Sequence, residues 1–178
     1  MRCSLIALLG LLVVAGCQST APHVHSDAVS ASDAAMIGTL SKLAGDWEMT
    51  DEKGERHRAA TFAVTSGGSA VREIMFPGEA HEMTNLYHMD GSALVCTHYC
   101  AAGNQPRMVA SRPVESDEGT AFHFEFDSVS NLRKSHDHYM GDMTLTILKD
   151  GGLRQDWRSF DRSGNLTEPM TFMLGRAH

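Results

Sequence analysis

Apolar and polar residues alternate in short runs over most of the chain beyond residue 45. Residues 121–128 separate three phenylalanines with His and Glu, and residues 143–147 alternate Met, Leu and Ile with Thr. A two-residue period turns one face of a strand towards a core and the other towards water. The pattern therefore predicts an all-β protein built from half-buried strands.

Turn-forming dipeptides such as Pro77-Gly78 and Asp90-Gly91 divide this region into ten predicted strands. The predicted strands cover residues 46–50, 57–65, 70–76, 82–89, 93–101, 107–114, 121–128, 139–149, 153–161 and 167–174. Short connections between consecutive strands predict an antiparallel up-and-down sheet. Closing this sheet into a barrel removes its two exposed edges, so we predict a ten-stranded barrel.

One short helix is predicted before the strands. Apolar residues recur at positions 37, 40 and 43, which is helical spacing, and Asp33 is placed to cap the N-terminus. Gly45 follows the last apolar position, where glycine commonly ends a helix. We therefore predict a helix over residues 34–43.

The first seventeen residues are organised as an export signal. Arg2 gives a basic start, residues 5–15 are almost entirely apolar, and Ala15 and Gly16 precede Cys17. The apolar run is shorter than the roughly 20 residues that span a bilayer. The small residues before the cysteine resemble the lipobox of bacterial lipoproteins. This resemblance implies cleavage before Cys17 and a diacylglycerol, with acyl chains such as palmitate, on its sulfur.

The lipobox resemblance implies an extracytoplasmic protein that is anchored to a membrane by lipid. Gln18 stands where Asp would favour inner-membrane retention, so the outer membrane is favoured in a diderm host. An ordinary secretory signal cut elsewhere is the alternative. Residues 1–16 are thus the predicted signal peptide, residues 17–35 the lipidated cysteine with a flexible polar tether, and residues 36–178 the barrel domain.

Charge and cysteine spacing narrow the possible partners and cross-links. The net charge of −7 argues against a nucleic-acid partner. Cys96 and Cys100 are the two cysteines of the barrel domain. On one extended strand they would lie about 13 Å apart, beyond the roughly 7 Å between Cα atoms that a disulfide allows. We therefore predict that both thiols are unpaired.

A short helix followed by Gly45-Asp46-Trp47 resembles the Gly-x-Trp signature of lipocalins and other calycins. Ten meandering strands are more similar to the fatty-acid-binding and nitrobindin-like barrels than to the eight-stranded lipocalins. The resemblance implies that Trp47 plugs one end of the barrel and that a basic residue of the last strand, Arg176, packs over it. Residues 97–108 also resemble a segment of uncharacterised bacterial β-barrel proteins, which brings no assigned activity.

Candidate binding chemistry is concentrated between residues 81 and 107. Cys96, His98 and Cys100 share one face of a strand, and His88 shares a face of the preceding strand with Thr84 and Leu86. If both faces point inward, imidazoles and thiols line an otherwise apolar pocket. The predicted ligand-binding residues are Trp47, Glu73, His88, His98, Tyr99 and Arg107.

The favoured function is binding of a small apolar or amphiphilic molecule in the barrel, next to a membrane. One alternative is a heme or a transition metal in the same barrel. The metal candidates Cys96, His98 and Cys100 supply N and S donors for zinc or copper, and nitrobindin-like barrels hold heme through a histidine. Another alternative is a structural or interaction module with a filled interior. The sequence carries no recognisable catalytic motif, so a non-enzymatic role is favoured.

Overall fold

The computed structural model describes residues 30–132 and 138–178 of the chain. Within these ranges, helix α1 (Ala31–Ser41) is followed by eleven strands. They are β1 (Gly45–Thr50), β2 (Arg56–Thr65), β3 (Ala70–Met75), β4 (Met83–Asp90), β5 (Ala93–Tyr99), β6 (Gln105–Ala110), β7 (Val114–Glu115), β8 (Gly119–Ser130), β9 (Tyr139–Leu148), β10 (Leu153–Phe160) and β11 (Met170–Arg176). The predicted signal peptide and Cys17 lie outside the described residues.

Ten of these strands form a closed antiparallel barrel. Consecutive strands pair from β1 to β6, β6 pairs with β8, the pairing continues through β11, and β11 pairs back to β1. The two-residue strand β7 adds to the side of β8. The predicted ten-stranded up-and-down barrel is therefore confirmed, and closure leaves no free edge among its ten strands.

Prolines account for the two largest differences between predicted and observed strands. The predicted strand 107–114 is split into β6 and β7, and Pro113 lies in the interruption. The predicted strand 167–174 begins only at Met170, directly after Pro169. Proline has no N–H to donate to a ladder, so it belongs at strand ends and interruptions.

Helix α1 begins earlier than predicted. Ser30, rather than Asp33, is the N-cap, and the two residues form a capping box in which each side chain bonds the other's backbone N–H. Residues 31–33, which the sequence assigned to the tether alone, thus form the first turn of the helix. The helix contacts β3, β4 and β5 and buries Met36 and Leu40 in the core. In the described parts of the chain, no helix is long and apolar enough to cross a membrane.

Trp47 is buried beside the end of the helix. Its ring is 1% exposed, and its indole N–H donates to the carbonyl of Leu43 at 2.8 Å. The guanidinium of Arg176 lies 4.5 Å from the centre of the indole ring and donates to the carbonyls of Lys42 and Ala44. The contact between Trp47 and the last strand, which the calycin resemblance implied, is present.

Candidate functional site

A layer of buried polar side chains crosses the barrel interior. It comprises Glu73 on β3, Asn85 and Tyr87 on β4, His98 on β5 and Gln155 on β10, and none of them is more than 1% exposed. We call these five residues the polar layer. They occupy inward positions of their strands, alternating with residues that face outward. Strand pairing then brings Glu73 opposite Asn85, and Asn85 opposite His98.

Glu73 is the centre of the hydrogen bonds in this layer. Its Oε2 accepts from the amide of Asn85 at 2.7 Å and from the hydroxyl of Tyr87 at 2.6 Å. Its Oε1 accepts from the amide of Gln155 at 2.6 Å. Three donors from two different strands therefore converge on one carboxylate, which satisfies three of its roughly four acceptor positions.

Trp157 fixes the orientation of the Gln155 amide. The indole N–H of Trp157 can only donate, and it reaches the Oε1 of Gln155 at 3.2 Å. The NH₂ of Gln155 must then face Glu73. Because this contact supplies a donor, Oε1 of Glu73 has to act as an acceptor. An ionised carboxylate satisfies all three of these donors.

The same logic fixes the tautomer of His98. Asn85 uses its NH₂ on Glu73, so its carbonyl oxygen faces the Nδ1 of His98 at 2.7 Å. Nδ1 must carry the proton for this contact to be a hydrogen bond. Nε2 is then an unprotonated acceptor, and it is buried with no hydrogen-bond partner among the described residues. The hydrogen bonds that run from Glu73 through Asn85 to His98 therefore leave the lone pair of Nε2 free.

Burial controls the charge of each titratable group in the layer. Desolvation lowers the pKa of His98 from 6.5 to about 4, so the imidazole is neutral near pH 7. Desolvation also raises the pKa of Glu73, although the three hydrogen bonds it accepts act in the opposite direction. The pKa values of Tyr87 and Cys96 are raised by burial and, second, by the negative charge of Glu73. Both of these groups are protonated in the folded protein.

A small cavity lies against Glu73. It has a volume of about 10 Å³, which is room for about one water molecule. Its lining is apolar apart from Glu73 and Gln155, and consists otherwise of Ala59, Ala60, Met75, Phe76, Phe172 and Leu174. Three larger openings, of about 640, 380 and 230 Å³, are lined by neither Glu73 nor His98.

The structure brings together two of the six predicted ligand-binding residues. Glu73 and His98 belong to the polar layer, and Trp47 is buried beside the helix. His88, Tyr99 and Arg107 lie on the outer surface of the barrel: Tyr99 is 45% exposed, and Arg107 bonds Asp90 and Asp127 there. These three side chains therefore do not line the interior, because each alternates with an inward neighbour.

The predicted thiol and imidazole ligands do not converge within the described structure. Cys96 lies inside beside Tyr87, His98 one step further along, and Cys100 is beyond the end of β5. Both cysteines are free, as predicted. In residues 30–132 and 138–178 no group of three or more His, Cys, Asp or Glu side chains is arranged to hold a metal ion. A site built from Cys96, His98 and Cys100 therefore lacks the common centre that zinc requires.

Sequence reasoning missed Asn85, Tyr87, Gln155 and Trp157 as parts of one site. On β4 the expected inward residues Thr84, Leu86 and His88 face outward instead. The segment Met83–Asp90 carries polar and apolar residues at both parities, so periodicity alone does not fix its inward face. The available signal was Glu73, a carboxylate between two apolar inward positions, whose cross-strand partner had to be polar.

The described residues thus define a closed antiparallel barrel with a polar layer in its interior. No protein-family model matches the chain, and no curated protein matches it. A solved structure similar to this chain is the crystal structure of Rv2717c from M. tuberculosis. The two share a TM-score of 0.56 and 12% sequence identity, over 85% of this chain and 100% of that one. At this identity the likeness shows the fold alone.

Proposed function

We propose that this protein is a lipid-anchored, extracytoplasmic, calycin-like barrel that binds a small apolar or amphiphilic molecule in its interior. The observation that carries the proposal is Nε2 of His98, a buried acceptor that meets no donor among the described residues. A buried polar atom without a partner costs about 1–3 kcal/mol. A guest that donates a hydrogen bond to Nε2 removes this cost, which favours binding.

A purely structural filling of the barrel explains the polar layer poorly. Val71 and Met75 occupy the inward positions on either side of Glu73, so apolar side chains fit this strand. Well-packed apolar residues are often as stabilising as a buried ionic network, or more so. Binding sites, in contrast, combine an apolar lining with a few placed polar groups. The composition of this interior is therefore better matched to recognition.

The guest must enter a barrel that is closed in the structure. The space beside Glu73, about 10 Å³, is far below the roughly 300 Å³ or more of typical small-molecule sites. This space is lined by Glu73 and not by His98, so binding requires side chains to move, both to enlarge the space and to let the guest reach Nε2. Met75, Phe76 and Phe172 line this space, and methionine in particular adapts its shape at little cost.

Identification of a co-purifying guest tests the proposal. The full chain carrying Cys17→Ser, which cannot be lipidated, is exported, purified and denatured, and the released small molecules are identified by mass spectrometry. We expect a guest in this protein and a marked loss of it in a variant that also carries His98→Gln, whose amide still bonds Asn85. His123→Gln, on the outer surface, is the matched control and keeps the guest. No guest in any variant, or an equal amount with His98→Gln, contradicts the proposal.

The lipid anchor has its own test. Cells labelled with a palmitate analogue should yield a labelled protein, because the proposed anchor carries acyl chains on Cys17. Cys17→Ser removes the label, and Cys96→Ser does not. A labelled Cys17→Ser variant, or an unlabelled parent protein, contradicts the proposed anchoring.

Heme is a second candidate, favoured by one specific observation. A neutral imidazole whose Nδ1–H is hydrogen-bonded and whose Nε2 is free has the form of an axial ligand. His98 meets this description, but the space of about 10 Å³ beside the polar layer does not hold a macrocycle. The imidazole of His98 is suited to hold heme, but the cavity is too small for the macrocycle, so heme ranks second. A Soret absorption band in the exported protein, lost with His98→Gln, would reverse this order.

A further inference from the structure

The wall of the Glu73 cavity contains a strained aromatic residue. Phe76, directly after β3, has a φ of 53°, a left-handed conformation that is rare for a bulky side chain. Its backbone N–H donates to the carbonyl of Ala59 at 2.8 Å. Ala59 is the extra residue of a β-bulge between β1 and β2, so Ala59 and Ala60 are both buried. The bulge therefore supplies small side chains to the cavity and holds Phe76 in its unusual conformation.

Phe76 connects the cavity to the surface. It is only half-buried although it lines the cavity, and its ring packs on Phe172 and on the exposed His81 at 5.6 and 4.8 Å between ring centres. Strained residues at such positions are a recognised feature of ligand clamps and switches. Phe76 is thus the wall residue best placed to open.

Glu73 offers an unused acceptor position to this cavity. Gln155, the partner of Oε1, lines the cavity, whereas Asn85 and Tyr87, the partners of Oε2, do not. Oε1 accepts one hydrogen bond and can accept a second. Among the described residues no cation pairs with Glu73. The carboxylate thus has an open position and lacks a counter-ion on the same side.

We infer that the guest is a small amphiphilic amine, whose N–H group donates to Oε1 of Glu73 and whose apolar part replaces the ring of Phe76 against Met75 and Phe172. The inference rests on the proposed interior-binding function and names its ligand class. A carboxylate or phosphate guest is disfavoured, because it would bring a second negative charge against Glu73 in a water-poor interior. An ammonium group supplies the missing counter-ion and a charge-assisted hydrogen bond.

The two tryptophans give a site-specific readout. Trp157 is bonded to Gln155 and so to Glu73, whereas Trp47 is bonded to Leu43 beside the helix. The full chain with Cys17→Ser is titrated with hexylammonium, hexanol and hexanoate, and the two indole N–H resonances are followed by NMR. We expect hexylammonium to shift the Trp157 resonance saturably and more than that of Trp47. Hexanoate should leave both unchanged.

Two variants complete the test. Glu73→Gln should weaken hexylammonium binding about tenfold or more, since a charge-assisted bond becomes a neutral one, and should change hexanol binding little. Phe76→Ala opens the wall and should tighten hexylammonium binding while keeping Glu73 intact. If Glu73→Gln does not fold, the effect of Phe76→Ala on hexylammonium binding tests the inference instead.

The outcomes separate this inference from the proposed function. If hexanol or hexanoate shifts Trp157 as strongly as hexylammonium does, the barrel binds small amphiphiles and the amine preference is wrong. If none of the probes shifts Trp157, even in Phe76→Ala, interior binding itself is contradicted.

Discussion

The neutral, buried His98 gives a quantitative prediction about acid stability. Its pKa is lowered from 6.5 to about 4 by burial. As the pH falls below about 6.5, the unfolded chain takes up a proton on this imidazole and the folded protein does not. The free energy of unfolding therefore falls with pH through this window, and the loss is complete near pH 4. At 1.36 kcal/mol for each pKa unit, the loss is about 3 kcal/mol.

Neighbouring groups do not cancel this effect in a comparison of variants. Glu73 has a raised pKa, so the folded protein binds its proton before the unfolded chain does, and this contribution to stability grows as the pH falls. That effect has the opposite sign to the effect of His98. Asn85 and Trp157, which contact the imidazole directly, do not titrate. The difference between the parent protein and His98→Gln therefore isolates the imidazole as long as Glu73 is present in both.

Urea unfolding between about pH 7 and about pH 4 measures the prediction. The stability of the parent protein should fall by about 3 kcal/mol more than that of His98→Gln over this range. His123→Gln replaces a half-exposed surface histidine and should follow the parent curve. Parallel curves for the parent protein and His98→Gln would refute the assignment of a buried neutral imidazole. A His98→Gln variant that loses more stability in acid than the parent would refute it as well.

Three further predictions follow from the same contacts. Glu73→Gln places an amide against Asn85, so the tautomer of His98 should shift towards Nε2–H. The ¹⁵N shifts of the imidazole measure this, and an unchanged Nδ1–H form would refute the control of the His98 tautomer by Glu73 through Asn85. Cys96 should resist thiol reagents in the folded protein because burial raises its pKa, whereas Cys100 should react first; mass spectrometry after partial labelling decides the order. Arg176→Met should cost about 1 kcal/mol in urea unfolding, through loss of the cation–π contact and two carbonyl partners, and no loss would show that the contact contributes nothing.

The barrel was predictable because alternation and turns act locally. Each strand of the meander reports its own burial pattern, and short turns leave few ways to connect the strands. The contact between Trp47 and Arg176 was also expected, because the resemblance of Gly45-Asp46-Trp47 after a helix to the calycin signature implied it. What local patterns could not give was the exact end of each strand, where prolines at 113 and 169 interrupt the ladder.

Only part of the polar layer could be predicted, because the site depends on how neighbouring strands pair and not on the pattern of any one strand. Glu73 stands between Val71 and Met75, and His98 follows Cys96 by two, so both inward positions could be predicted from alternation. Asn85 could not, because its strand is polar and apolar on both faces. Its position is decided by register with the neighbouring strand, where it meets Glu73.

The bulge, the strained phenylalanine and the polar layer together bear on how the proposed guest would enter a stable interior. The bulge places two alanines where larger side chains would fill the space, and its carbonyl fixes the backbone of Phe76. The ring of Phe76, a residue that lies outside the strands, then closes the gap by packing on Phe172. Opening this wall removes the ring contact with Phe172, and Phe76 takes part in none of the hydrogen bonds to Glu73. Entry of the proposed guest past Phe76 would therefore leave the hydrogen bonds of the polar layer intact.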